Sequence, residues 1–272
     1  MKMKIRLIFI AGCILLSSCF AAVEAGDAST EKQVLFDKAN GSFGQANSAQ
    51  SEEQANELYQ QAILNYEKII NKYEIQNPKL YYNLANAYLL KNEIGYAILN
   101  YRKAIDLGSS DTNIKKNLAF ARSKRIDKIE SDSKQKAIHT LLFWHYDFSM
   151  RSRFILATIF FVSLCVSTGI IILRGRKTFV VSVSVISAIL MVCFAVSVIC
   201  EDVMRQRRKC GVITARQITA YQGDSRNYPA SFKDPLHEGT EFEMLEHRGK
   251  WYHIRLENGS EGWITDDSAG II

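Results

Sequence analysis

Two uncharged apolar runs, Phe154–Leu173 and Thr178–Cys200, parted only by Arg174-Gly175-Arg176-Lys177, constrain this chain more than any other feature. At a rise of about 1.5 Å per residue, a helix made from either run is long enough to cross the roughly 30 Å hydrocarbon core of a bilayer. A buried helix of a globular protein is rarely this long and apolar on every face. So short a connection can only reverse the chain. The runs are therefore expected as a two-helix transmembrane hairpin, with spans at 154–173 and 178–200. One consequence is topological: whatever precedes the hairpin and whatever follows it must lie on the same side of the membrane.

The charge distribution agrees with membrane residence. The formal net charge is +6, and the Lys and Arg residues gather at the N-terminus and beside the apolar runs, as membrane flanks do. No stripe of basic residues interleaved with aromatics points to nucleic acid. The six cysteines are Cys13, Cys19, Cys165, Cys193, Cys200 and Cys210. They show no CxxC spacing and no pairing pattern in the polar segments, which argues against a disulfide framework or a zinc site. No cofactor is expected. No Ser/His/Asp, Cys/His, paired-carboxylate or phosphate-loop arrangement appears, so the expectation is a binding protein and not an enzyme.

Lys2, Lys4 and Arg6 followed by the apolar stretch Leu7–Leu16 have the form of an export signal spanning 1–25. Two processing sites compete. Val23-Glu24-Ala25 before Gly26 suits signal peptidase. Leu16-Ser17-Ser18-Cys19 suits a bacterial lipobox cut between 18 and 19, which makes Cys19 a candidate lipidation site. Either route sends the next segment out of the cytoplasm. The charges around the hairpin do not decide its orientation. Arg174, Arg176 and Lys177 favour a cytoplasmic turn, while Arg151, Arg153, Arg205, Arg207, Arg208 and Lys209 pull the outer ends the other way. The export signal acts first during insertion. The expected location is thus the bacterial inner membrane, with both polar segments facing the periplasm. Residues 137–153 hold Leu141, Leu142, Phe143, Trp144, Tyr146 and Phe148, and are expected to lie along the lipid surface. His139 and His145 read there as structural.

The first polar segment contains a repeat. Ala62-Ile63-Leu64-Asn65-Tyr66-x-Lys68 returns 35 residues later as Ala97-Ile98-Leu99-Asn100-Tyr101-x-Lys103. Asn83-Leu84-Ala85 returns 34 residues later as Asn117-Leu118-Ala119. A period near 34 points to tetratricopeptide (TPR) repeats, pairs of antiparallel helices. Leu80–Ser109 resembles one nearly complete repeat, with Tyr81, Leu84, Ala85 and Tyr88 on its first helix and Ala97, Tyr101 and Ala104 on its second. The preceding repeat is expected as helices 31–43 and 52–73, with Gly41–Ser51 as a lengthened loop. A last helix from Asp111 to about Ile129 would cap an array covering 31–130. In such arrays the first helix of each pair lines a concave surface for peptides. The resemblance places Tyr82, Asn83, Asn86, Leu89, Lys116 and Asn117 there, the amides suited to a peptide backbone.

The last segment alternates with period 2 in short runs. Val212–Ala215, Gly239–Leu245, Trp251–Leu256 and Glu261–Ile264 read as strands, and Asn258-Gly259 as a hairpin turn. The string Gly249-x-Trp251-Tyr252-x-Ile254-Arg255-Leu256-x-x-Gly259-x-x-Gly262-Trp263-Ile264 resembles bacterial SH3-like domains, which implies a small β-barrel over 211–267. Trp251 and Trp263 would then pack it and line part of its surface groove. The expected fold class is therefore multidomain α plus β: a helical array, a transmembrane hairpin and a small barrel.

That order of parts, with Asn117-Leu118-Ala119-Phe120-Ala121-Arg122 leading to Ile126-Asp127-Lys128-Ile129-Glu130, resembles the BatE family of the Bacteroides aerotolerance (Bat) system. The resemblance implies a non-enzymatic envelope scaffold. It also implies partners among membrane proteins with von Willebrand factor A domains, beside a MoxR-type ATPase, in oxidative-stress tolerance or envelope integrity. The alternative is a tether or sensor whose barrel binds peptidoglycan. Membrane lipid is a partner on either reading, and nucleic acid on neither.

Overall fold

The computed structural model of the chain describes residues 30–109, 111–129, 140–207 and 209–272. The export signal expected over 1–25, with Cys19, lies outside them, as do 137–139 of the aromatic segment and position 130 at the end of the expected array. The described chain is α plus β, with helices first, then two long apolar helices, then an antiparallel sheet.

Helix α1 covers 30–46, α2 Glu52–Tyr73, α3 Pro78–Leu90, α4 Ile94–Asp106 and α5 Thr112–Ser123. Three starts are set by local capping. Ser51, Asn77 and Asp111 each accept a hydrogen bond from a backbone N–H two or three residues on, and Pro78 occupies the first turn of α3. Consecutive helices pack in order, α2 on α3, α3 on α4, α4 on α5. Ile63 and Tyr66 of α2, like Ile98 and Tyr101 of α4, are buried in one continuous core. Ala85, Ala97 and Ala104 are completely buried, and their small side chains allow close approach of the helices.

Two expectations are corrected. The stretch 41–46, read as loop for its Gly, Ser and Asn content, is helical, and only 47–51 connects α1 to α2. Ala39, Phe43 and Ala46 share one face of α1; Ala39 and Ala46 are buried, and Phe43 meets Tyr59 edge to face at 5.7 Å. That packing overrides the low helix propensity of Gly41 and Gly44. At the other end, α5 stops at Ser123 and not near Ile129. The chain leaves the helix through a turn at Lys124, and Asp127 beyond it accepts hydrogen bonds from His237 and Thr240.

Helix α6 (Phe143–Tyr146) is a single turn before the hairpin. Helices α7 (Met150–Arg174) and α8 (Thr178–Arg207) form that hairpin, turning through Gly175 at φ 82°. Both are long and apolar enough to cross a membrane, with mean hydropathy 2.5 over an 18-residue stretch within Met150–Arg174 and 2.7 over one within Thr178–Glu201. Their apolar side chains point mostly outward, and small polar residues meet between them. Ser163 and Ser187 hydroxyls are 2.9 Å apart, and Phe160 stacks on Phe194. At the outer end Arg153 is buried, paired with Glu201 and bonded to Ser197 Oγ at 2.8 Å. His145 Nδ1 lies 2.7 Å from the same hydroxyl, which fastens α6 to the hairpin.

The sheet has strands β1 (Lys209–Ile213), β4 (Glu241–Arg248), β5 (Trp251–Leu256), β6 (Glu261–Thr265) and β7 (Ala269–Ile271), in the order β6-β5-β4-β1-β7. The short strands β2 (Gln217–Ile218) and β3 (Leu236–His237) pair separately. Ile213, Phe242, Ile254, Leu256 and Ile264 fill its inner face. Gly259 at φ 84° makes the β5–β6 turn, and the pairing of β4 with β5 slips at Leu245. The sheet exceeds the expected 211–267 at both ends, because β7 pairs with β1 through Gly211↔Ile271 and β1 begins at Lys209.

Candidate functional site

The helix surface expected to bind peptides carries tyrosines and amides that hold one another. Tyr101 of α4 donates its hydroxyl to Asn86 Oδ1 of α3 at 2.6 Å. Asn117 of α5 donates to the same oxygen at 3.0 Å and to the Tyr82 hydroxyl at 3.2 Å. One repeat earlier, Tyr66 donates to Asn40 Oδ1 at 2.6 Å, and Asn83 bonds its hydroxyl in turn. Burial pushes the Tyr66 hydroxyl up to about 12, and raises that of Tyr101 as well. Both therefore stay neutral donors at any physiological pH.

Of the six groove residues expected from the sequence, Tyr82, Asn86 and Asn117 are thus brought into one network, and Asn83 into its counterpart. Leu89 is half-buried against the helical core, and Lys116 is exposed. The amides brace neighbouring helices, a role that the repeat pattern alone does not reveal. The Asn86 amide nitrogen and the Asn117 carbonyl oxygen take no part in these bonds, so a donor and an acceptor remain for an incoming backbone.

Trp251 and Trp263 fall on the outer face of the sheet, opposite Ile254 and Ile264. Trp263 is 8% exposed, stacked on His253 at 4.8 Å with Arg248 over its ring at 5.0 Å. Trp251 is half-exposed and meets Tyr221 edge to face at 5.9 Å. The two indoles therefore differ. Trp263 is roofed by polar side chains, and Trp251 offers an aromatic edge to solvent.

No protein-family model and no curated protein matches this chain.

The strongest electrostatic arrangement is one that neither resemblance predicts. The sheet docks on α4 and α5. Glu241 at the start of β4 accepts two hydrogen bonds from Arg122, Nε to Oε1 and Nη2 to Oε2, both 2.7 Å. Arg102 approaches it at 3.2 Å and Arg125 at 3.5 Å. Burial alone would raise the Glu241 carboxyl, but Arg122, then Arg102 and Arg125, outweigh it and hold it below the usual range. Asp127 makes a second clasp: His237 N–H and Thr240 Oγ1 each donate to its Oδ2 at 2.7 Å. These bonds overcome the burial penalty and lower its carboxyl too. The third contact is a cap. Glu93 forms no side-chain bond at the start of α4, and Glu238 of the sheet accepts the Gly95 N–H instead, at 3.0 Å.

Close approach completes the joint. A Cβ on Gly95 would lie 2.6 Å from the Ile213 carbonyl oxygen, and one on Gly270 would collide with Leu99. Val212 of β1 is buried in the helical core and not in the sheet's own. One signal of this joint was legible. In the repeat register, Arg122 occupies the position of Tyr88, which is a packing site in α3. A guanidinium there requires an anion from elsewhere.

Proposed function

We propose that this chain is a non-enzymatic, membrane-anchored scaffold in which a TPR-type helical array and an SH3-like barrel act as one docked unit on the periplasmic face of a bacterial inner membrane. The observation that carries the reading is the joint of Glu241 with Arg102, Arg122 and Arg125, reinforced by Asp127. It holds the helical groove and the sheet's outer face in a fixed relation next to the hairpin. A scaffold gains from this, because partners held at fixed separation meet at high effective concentration.

The groove offers paired amide groups and the exposed Lys116, which suits a peptide segment from a protein partner. By the Bat resemblance, that partner is a membrane protein with a von Willebrand factor A domain, in a stress-tolerance complex of the envelope. A second reading, a peptidoglycan tether, has the half-exposed pair Trp251 and Tyr221 in its favour, since such edges suit wall glycopeptides. The test is cross-linking of the tagged full chain in intact cells, followed by purification in mild detergent. Recovery of von Willebrand A-type proteins, lost in Asn86→Ala/Lys116→Glu, supports the scaffold. Recovery of wall fragments alone, lost in Trp251→Ala, replaces it with the tether.

A further inference from the structure

Helices α3 and α5 correspond residue for residue at a spacing of 34: Leu80 with Ile114, Leu84 with Leu118, Ala85 with Ala119, Tyr88 with Arg122. The first two pairs are buried alike. The other two are not. In α3, Ala85 is completely buried, and Tyr88 is buried and stacks on Tyr96 of α4 at 4.9 Å. In α5, Ala119 is exposed and Arg122 half-exposed. Among the described residues no helix lies on α5 as α4 lies on α3. The sheet takes only one end of that seat, where Glu241 reaches Arg122 and the chain past α5 meets β3 and β4.

The other end is open. Between α4 and α5 lies a groove of about 390 Å³, lined by Arg102, Ile105, Asp106, Lys115, Leu118 and Arg122. Ile105 and Leu118 make an apolar floor, and three cations stand on its rim. Together with Arg125 behind them, four cations face two carboxylates, Asp106 and Glu241. Glu241 is already shared among three guanidiniums, so the rim keeps an excess of positive charge.

We propose that this groove is a second docking site, which receives an acidic amphipathic helix of a partner protein. The partner presents one or two aliphatic side chains to Ile105 and Leu118, and carboxylates to Lys115, Arg102 and the free edge of Arg122. A helix suits the seat because the corresponding seat on α3 is filled by one, and Ala119 leaves room for close approach as Ala85 does. The acidic character follows from the rim. A basic or neutral helix would leave the excess cations facing one another across a partly desolvated groove. The site goes beyond the concave groove and is separable from it, since Lys115 and Lys116 are adjacent and turn to different faces of α5.

The test uses the full chain in zwitterionic lipid nanodiscs and a fluorescent, end-blocked peptide of about 14 residues, near the shortest length that holds a helix. The peptide carries Leu at helical spacing on one face and Glu beside it. A twin has Lys in place of every Glu. The acidic peptide is expected to bind and the basic twin not. Lys115→Glu should weaken binding about tenfold, equivalent to about 1.4 kcal/mol, while Lys79→Glu, an equal charge change on exposed α3 surface, leaves it unaltered. Absence of binding, equal binding of the twin, or equal loss in both variants would overturn the proposal. Loss in Lys116→Glu with Lys115→Glu unaffected would also overturn it, by assigning the peptide to the concave groove; the scaffold reading would survive that result.

Discussion

Glu241 is 20% exposed at its side chain and is shared by Arg102, Arg122 and Arg125. Removing its charge strands three guanidiniums in a half-buried joint. Glu241→Gln is expected to cost about 1.5–3 kcal/mol, the range for a charge-assisted hydrogen bond, read as a lower melting temperature of the full chain in detergent. The pH dependence has a definite sign. Glu241 and Asp127 both ionise at lower pH in the docked state than in the unfolded chain. Their contribution is therefore fully present above the ordinary carboxylate range, about pH 4, and is lost as pH falls through the lowered values. The protection of amides in β1 and α4, relative to their intrinsic exchange rates, should be high at neutral pH and fall as pH drops below about 4. In Glu241→Gln the Glu241 share of that acid sensitivity disappears, leaving the Asp127 share. An acid response unchanged by the substitution would show that Glu241 does not hold the joint. In the sequence only Arg122, standing at the repeat position of Tyr88, hints at this joint; its anion is not legible, because a salt link between positions more than a hundred residues apart leaves no periodic signal.

At the scale of elements, the readings that succeeded were those with a repeating pattern. The duplicated string in α2 and α4 located both helices, and the alternation in β4, β5 and β6, with Asn258-Gly259 between the last two, located the hairpin. The readings that failed rested on composition or continuity. Gly41 and Gly44 suggested a loop, yet Phe43 and Ala46 hold those residues helical. The pattern of α5 suggested a helix to Ile129, but it ends at Ser123 and Asp127 bonds instead to His237 and Thr240. The same contrast predicts two glycine substitutions. A Cβ at Gly41 meets nothing within 4 Å, so Gly41→Ala should stabilise α1 by about 0.5–1 kcal/mol, the propensity difference. At Gly95 the same change drives a methyl against the Ile213 carbonyl, and backbone cannot swing aside as a side chain does. Gly95→Ala should part the N-terminus of α4 from β1 and remove the Glu238 cap, visible as fast exchange in both elements. Equal behaviour of the two variants would mean that α4 does not bear on the sheet.

For the whole molecule the hairpin and the joint make one demand by different routes. On the membrane-anchored reading, a tight turn through 175–177 returns the chain to the side it left, and the joint needs helical array and sheet on that same side. The sequence supplied the first argument from two apolar runs and a short connection; the second required coordinates. Orientation follows from labelling two exposed positions, Lys116 on α5 and Asn258 in the β5–β6 turn, each replaced by Cys in a chain whose native cysteines are Ser. With a membrane-impermeant maleimide, both should react in intact spheroplasts if the unit faces the periplasm. If it faces the cytoplasm, both should react only after lysis, which would reverse the proposed orientation and leave the docked unit intact. Reaction of one position in intact spheroplasts and the other only after lysis would break the hairpin and the joint together, since a single crossing would then separate two surfaces that Glu241 and Asp127 hold in contact.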